Sequence, residues 1–271
     1  MTVVRFGAYL GTEMAIEIGQ IEAIFRYPVK SMRGEKLDAA TLGWHGLEGD
    51  RRLALRRLDE RGLDERRLDE RGGFPWLSAS KLPDLICFTP LRGEGKNGDT
   101  LPTHVRTPEG EEMPLFSEAL AAEIGRRYGA PLQMMHLKHG IFDDASISVI
   151  SSASVREICR LAERSTDVRR FRPNIVVRST RAVPFEEDEW VGGVLTFGEA
   201  GDGPAVAVTM RDLRCAMVNI DPDGGSLALE VMKACVRAND NYVGAYGAVT
   251  RIGRLAVGQS IVLHGNSPAS D

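Results

Sequence analysis

Hydrophobic positions along the chain repeat with two periods. Ile21-Glu22-Ala23-Ile24-Phe25-Arg26-Tyr27 alternates and predicts a strand that stops at Pro28. Ala205 to Met210, a run of small and β-branched residues, predicts a second, and Ser260 to Leu263, past a turn at Gly258, a third. Leu53-Ala54-Leu55 and the β-branched run at Ile175-Val176-Val177 read the same way, as does the stretch ending at Ile150. The helical period appears at Leu120, Ile124 and Tyr128, behind a capping Ser117 and ahead of a closing Gly129. It returns at Val155, Ile158 and Leu161, where Ser154 and Glu157 stand in capping-box spacing. Strands outnumber helices, so the pattern predicts a mixed α/β, β-rich fold. The helix after Ser117 marks the boundary between two halves, residues 15–128 and 129–266.

Composition narrows the class. The chain has 271 residues, 43% hydrophobic and 27% charged, with a net charge of −4. That balance does not suggest a nucleic-acid binder. No apolar run reaches the roughly 18 residues of a spanning helix. Met1 to Gln20 lacks the basic start and apolar core of a secretory signal. The expectation is a cytoplasmic protein that engages neither membrane nor nucleic acid. Met14 is a candidate natural start, with Met1 to Glu13 as a loosely ordered leader. Leu-Asp-Glu-Arg occurs at 58–61, 63–66 and 68–71, which reads as a tandem duplication in a surface hairpin loop.

The candidate chemistry lies in four stretches. Cys215 follows the predicted strand at 205–210 and precedes the turn Asp221-Pro222-Asp223-Gly224-Gly225, so a rigid element would hold a reachable thiol. Arg214 beside it favours the thiolate, the nucleophilic and metal-binding form. Cys87, Cys159 and Cys235 sit in apolar or helix-like surroundings and read as packing residues. The four cysteines fit no zinc or iron–sulfur spacing. The loops around Lys30-Ser31 and Arg51-Arg52 carry a point charge, bidentate forks and a hydroxyl, a kit that suits a phosphate as readily as a solvated surface. Arg169-Arg170-Phe171-Arg172-Pro173-Asn174 is a second cationic patch.

Together Tyr27-Pro28-Val29-Lys30-Ser31, Gly49-Asp50-Arg51, Phe171-Arg172-Pro173-Asn174-Ile175-Val176 and Arg214-Cys215 with Asp221-Pro222-Asp223 resemble the MOSC family, the domain of molybdenum-cofactor sulfurases and amidoxime-reducing molybdenum proteins. The resemblance implies an N-terminal β-barrel-like half and a MOSC β-barrel half. It implies Cys215 as molybdenum ligand and catalytic centre. Lys30, Ser31, Arg51, Ser146, Arg172, Asn174 and Arg214 would then bind the molybdopterin. The implied activity is reduction of small N-hydroxylated substrates with electrons from a separate iron–sulfur or flavin protein, since this sequence has no iron–sulfur cysteine set and no G-x-G-x-x-G that follows a predicted strand to bind a nicotinamide or flavin. A cofactor carrier, or a sulfur-transfer protein using Cys215 as a persulfide, are the competing readings.

Overall fold

The computed structural model describes residues 15–58, 75–92, 101–198 and 203–265. The candidate leader, and the Leu-Asp-Glu-Arg repeats apart from Leu58, lie outside the described residues.

The first strand, β1 (Ala15–Arg26), begins earlier than its alternation suggests. The short strands β2 (Glu35–Leu37), β3 (Ala39–Gly43) and β4 (Gly46–Leu47) follow, then β5 (Leu53–Arg57). β6 (Thr89–Leu91), β7 (His104–Arg106) and β8 (Glu112–Pro114) pair in chain order as a three-stranded sheet. Helix α1 (Glu118–Tyr128) starts and stops where its punctuation says. The Ser117 side chain accepts from the Leu120 amide, and Gly129 closes the helix at φ +86°. β9 (Leu132–His136) then pairs antiparallel with β5. Val29, Leu53, Leu77, Leu85, Phe88, Leu120 and Ile124 form the core of this half.

The remaining chain supplies β10 (Ile147–Ser151), α2 (Ser152–Leu161), β11 (Ile175–Ser179), β12 (Val194–Phe197), β13 (Ala205–Leu213), α3 (Leu229–Asn239), β14 (Tyr242–Arg251), β15 (Gly253–Ala256) and β16 (Ser260–His264). Helix α2 starts before the spacing of Ser154 and Glu157 suggests. Its cap is Ser151, whose hydroxyl accepts from the Ser154 amide at 3.1 Å. Ser154 instead donates its hydroxyl to the buried carboxylate of Glu187 at 2.8 Å.

Seven of these strands close on themselves in the order β11-β10-β14-β13-β12-β16-β1, with β1 returning to β11, so the ring has no free edge. Only β10 and β11 run parallel within the ring. The closing strand comes from the other end of the chain: Ile24 opposes Ile175 on one side, and Gln20 opposes Ser260 on the other. Residues two apart along the strands, such as Ile147 and Val149, Ile175 and Val177, Val206 and Val208, fill the barrel. Ile150, Val176 and Val243 on neighbouring positions face outward and are covered by α2 and α3 through Val155, Ile158, Val231 and Ala234. Burial on both faces explains why these strands read as near-continuous apolar runs. The β-rich fold expected from the pattern is the fold observed. No helix among the described residues is long and apolar enough to cross a membrane.

Candidate functional site

Strand β13 ends at Leu213, and the chain turns outward through Arg214 and Cys215 into a short 3-10 turn at Ala216–Asn219. Cys215 is exposed there, whereas Cys159 and Cys235 are buried in the core and Cys87 is half-buried. Beside Cys215 opens a cleft of about 430 Å³. Its lining brings together Lys30, Ser31, Arg51, Arg172, Arg214 and Cys215, six of the predicted site residues, from four separate stretches of sequence. Ser146 is not among the lining residues; Ser148, two positions on, takes part instead. Asn174 does not line the cleft and is buried.

Asp50 organises the cationic wall. One carboxylate oxygen accepts from the Tyr27 amide at 2.7 Å, and the other takes the Arg51 guanidinium at 2.5 Å and the Asn174 amide at 3.1 Å. The Asn174 carbonyl oxygen accepts from the Ser148 amide at 3.1 Å and from Arg51 at 3.4 Å. Asn174 thus acts from below: it ties Arg51 to β10 and holds the loops in register. Backbone bonds from Lys30 to the Leu53 carbonyl and from Arg51 to the Tyr27 carbonyl fasten the two loops together. Ser31, Arg51 and Arg172 all sit at positive φ, at 67°, 50° and 50°. Left-handed backbone costs a non-glycine residue of order 1–3 kcal/mol. Three such residues at one cleft mark a conformation that the surroundings impose.

The charges are largely withdrawn from water. Arg172 and Arg51 both stack on the Tyr27 ring, at 4.2 and 5.0 Å. Burial lowers the Arg172 guanidinium to about 10, with Arg51 adding to that effect. Burial also works against the Arg51 cation, but Asp50 beside it outweighs this and raises it. Lys30 pairs with Asp143 at 2.8 Å. Burial disfavours the Asp143 carboxylate, and Lys30 still holds it below the usual range.

Arg214 lies under the cleft. Its guanidinium donates to the carbonyls of Val243 at 2.6 Å and Phe171 at 2.8 Å and pairs with Asp212 at 2.9 Å. Gly244, at φ +90°, leaves it room: a Cβ there would stand 2.7 Å from an Arg214 nitrogen. The turn beyond Cys215 is fixed by arginines from two loops. Arg170 pairs with Asp221 at 2.7 Å, and Arg169 and Arg33 both reach Asp223, at 2.6 and 2.9 Å. Those pairs hold the Asp223 carboxyl far below its ordinary range, Arg169 most strongly.

Asp212 and Tyr246, which the sequence did not single out, also line the cleft. Asp212 is pushed up to about 6 by burial, against the opposing pull of Arg214 and Ser148. Its hydrogen bond from the Ser148 hydroxyl measures 3.2 Å. Tyr246, on β14, is pushed up by burial and by Asp212. The place of Asp212 at the end of β13, two residues before Arg214, was the available signal for the first.

Residues 136–262 match the family model of the MOSC domain. Residues 136–262 are a MOSC domain. Mitochondrial amidoxime reducing component 2 of Bos taurus is 30% identical over 132 residues, which is 44% of this chain and 37% of that protein. The Rattus norvegicus protein of the same name is 29% identical over a stretch with the same coverage. The matched stretch therefore spans little more than a third of these curated relatives. The crystal structure of the YUAD protein from Bacillus subtilis shares the fold: it covers 94% of this chain and 100% of its own, with a TM-score of 0.50 and 13% identity. The MOSC domain contributes Arg172, Asn174, Asp212, Arg214 and Cys215 to the cleft and its floor, while Lys30, Ser31, Asp50 and Arg51 come from the chain before it.

Proposed function

We propose that the protein is a molybdenum-cofactor-dependent reductase of small N-hydroxylated compounds, fed with electrons by a separate iron–sulfur or flavin protein. One observation carries the reading: an exposed thiol shares a single cleft with Lys30, Ser31, Arg51 and Arg172. The donor set fits the cofactor by class. A soft thiolate suits molybdenum, and a hydroxyl with buried cations suits the phosphate of a pterin. The relatives' name, amidoxime reducing component, supports the substrate class.

In this reading Cys215 holds the metal, and Lys30, Ser31, Arg51 and Arg172 hold the pterin and its phosphate. Ser146, at the entry to β10, stands outside the lining, and Ser148 takes its place there. Asn174 positions Arg51 through Asp50, and Arg214 anchors the backbone that presents Cys215. The cofactor supplies two-electron chemistry when bound. Reduction breaks the N–O bond with two electrons and two protons, leaving an N–H group and water. Asp212, with its raised affinity for a proton, and Tyr246 are groups lining the cleft that can hold protons there.

Metal analysis and turnover of an aryl amidoxime with a chemically reduced dye test the proposal. Wild-type protein should contain molybdenum and turn the substrate over with the dye, yet remain inert with NADH alone. Cys215→Ser should lose both metal and activity while keeping its circular dichroism, and Cys87→Ser should keep all three. Molybdenum-loaded protein that reduces no N-hydroxylated compound with any donor would favour the carrier reading instead.

A further inference from the structure

Helix α3 buries Val231, Ala234 and Cys235 against the barrel and keeps a second apolar row on its other side. Leu229 is 57% exposed and Val236 51%; with half-buried Met232 they follow at i, i+3 and i+7, one stripe of a helix. These three line an open groove of about 510 Å³ with Asn219, Lys233 and Arg237. Lys233 and Arg237 are exposed and four residues apart, so both cations border the same stripe. The acid of the first turn, Glu230, is paired with Arg164. Asn219 joins the groove to the cleft. Its side chain accepts from the Met232 amide at 2.9 Å, and it ends the turn Ala216–Asn219 that begins beside Cys215. At about 2 Å per residue, that turn sets the groove wall some 8 Å along the chain from Cys215.

We propose that this face of α3 docks the separate electron carrier that the reductase reading requires, and that the carrier presents an acidic rim around an apolar patch. The inference rests on that reading. Three features select the occupant. Cations bordering an apolar stripe complement an acidic rim and steer its approach. A six-residue groove suits the small, transient interfaces of redox encounters better than a stable dimer. A second copy across a two-fold axis would also bring Lys233 and Arg237 toward their own counterparts. The carrier gives up one electron at each visit and leaves oxidised; two visits reduce one substrate molecule.

The test uses the full, molybdenum-loaded chain with two donors: dithionite-reduced methyl viologen, and an acidic plant-type [2Fe–2S] ferredoxin kept reduced by NADPH and its reductase. Lys233→Glu/Arg237→Glu and Leu229→Asp/Val236→Asp should keep the viologen rate within about twofold and raise the KM for ferredoxin about tenfold or more. The wild-type ferredoxin rate should fall as salt rises from about 50 to 300 mM. An unchanged ferredoxin KM in both variants overturns the proposal, as does wild-type protein that ferredoxin cannot reduce. Light scattering that shows a wild-type dimer split by Leu229→Asp/Val236→Asp would assign the face to a second copy, and loss of binding to anionic vesicles would assign it to a membrane. No viologen turnover in loaded wild-type protein sinks the reductase reading itself; ferredoxin titration against wild type and charge-reversed protein then decides the docking face separately.

Discussion

Asp212 and Asn174 show how much of the cleft depends on buried polar groups beneath it. Burial raises the Asp212 carboxyl to about 6, above the value near 3.9 of an unfolded chain. A group raised on folding contributes stability that is fully present below the unfolded pKa and is lost as pH climbs through the folded one. Wild-type stability relative to Asp212→Asn should therefore decline by roughly 2–3 kcal/mol between about pH 3.5 and pH 7, as measured by urea denaturation across that range. A flat difference would mean that Arg214 keeps Asp212 ionised throughout. Asn174→Ala removes four hydrogen bonds around Asp50, Ser148, Phe25 and Arg51. It should cost about 2–4 kcal/mol, because it takes the Asn174 oxygen from the buried Ser148 amide and one donor from the buried Asp50 carboxylate. The sequence made the rim residues legible: Lys30, Arg51, Arg172 and Cys215 do share one cleft. The floor was not legible, because an Asp or Asn in a loop carries no mark of whether it faces solvent or supports a neighbouring arginine.

Elements with unambiguous punctuation were readable to the residue, and α1 between Ser117 and Gly129 is the example. At α2 the capping-box spacing of Ser154 and Glu157 points to the wrong serine. The strand decides the matter. β10 runs to Ser151 in the barrel, and the helix starts at the next residue. Glu157, freed from a capping role, pairs with Arg160 on the surface. Ser151→Ala should lower stability by about 1–2 kcal/mol, since it removes a fully buried cap. Glu157→Ala should cost under about 0.5 kcal/mol, the usual worth of an exposed helix pair. Thermal denaturation of the two variants side by side checks the order, and a larger loss from Glu157→Ala would restore the capping box.

At the scale of the whole molecule the barrel joins the two ends of the chain, and no local pattern announces that. Alternation in β1 says that one face is buried; it cannot say that the partners are β11 and β16, some 150 to 250 residues away. The consequence is a test of where the folding units divide. The family match at 136–262 begins after β1, and the division expected near residue 128 leaves β1 on the far side too. Residues 129–266 expressed alone would keep six of the seven staves and expose the edges of β11 and β16, with Ile21 and Ile24 gone from the barrel interior and Ala23 and Phe25 gone from beneath the helices. Unpaired edges of that length invite association. Losing two fully buried isoleucines alone removes roughly 3–6 kcal/mol of apolar burial, comparable to the whole net stability of many domains. The fragment should accumulate as aggregate, or as a soluble species without near-ultraviolet circular dichroism. A chain in which residues 15–27 are linked by a flexible spacer to 129–266 should recover part of the native signal. A fragment of 129–266 that is monomeric and melts cooperatively would show that the second half closes its barrel without β1, and that the division near 128 is a true boundary between independent folding units.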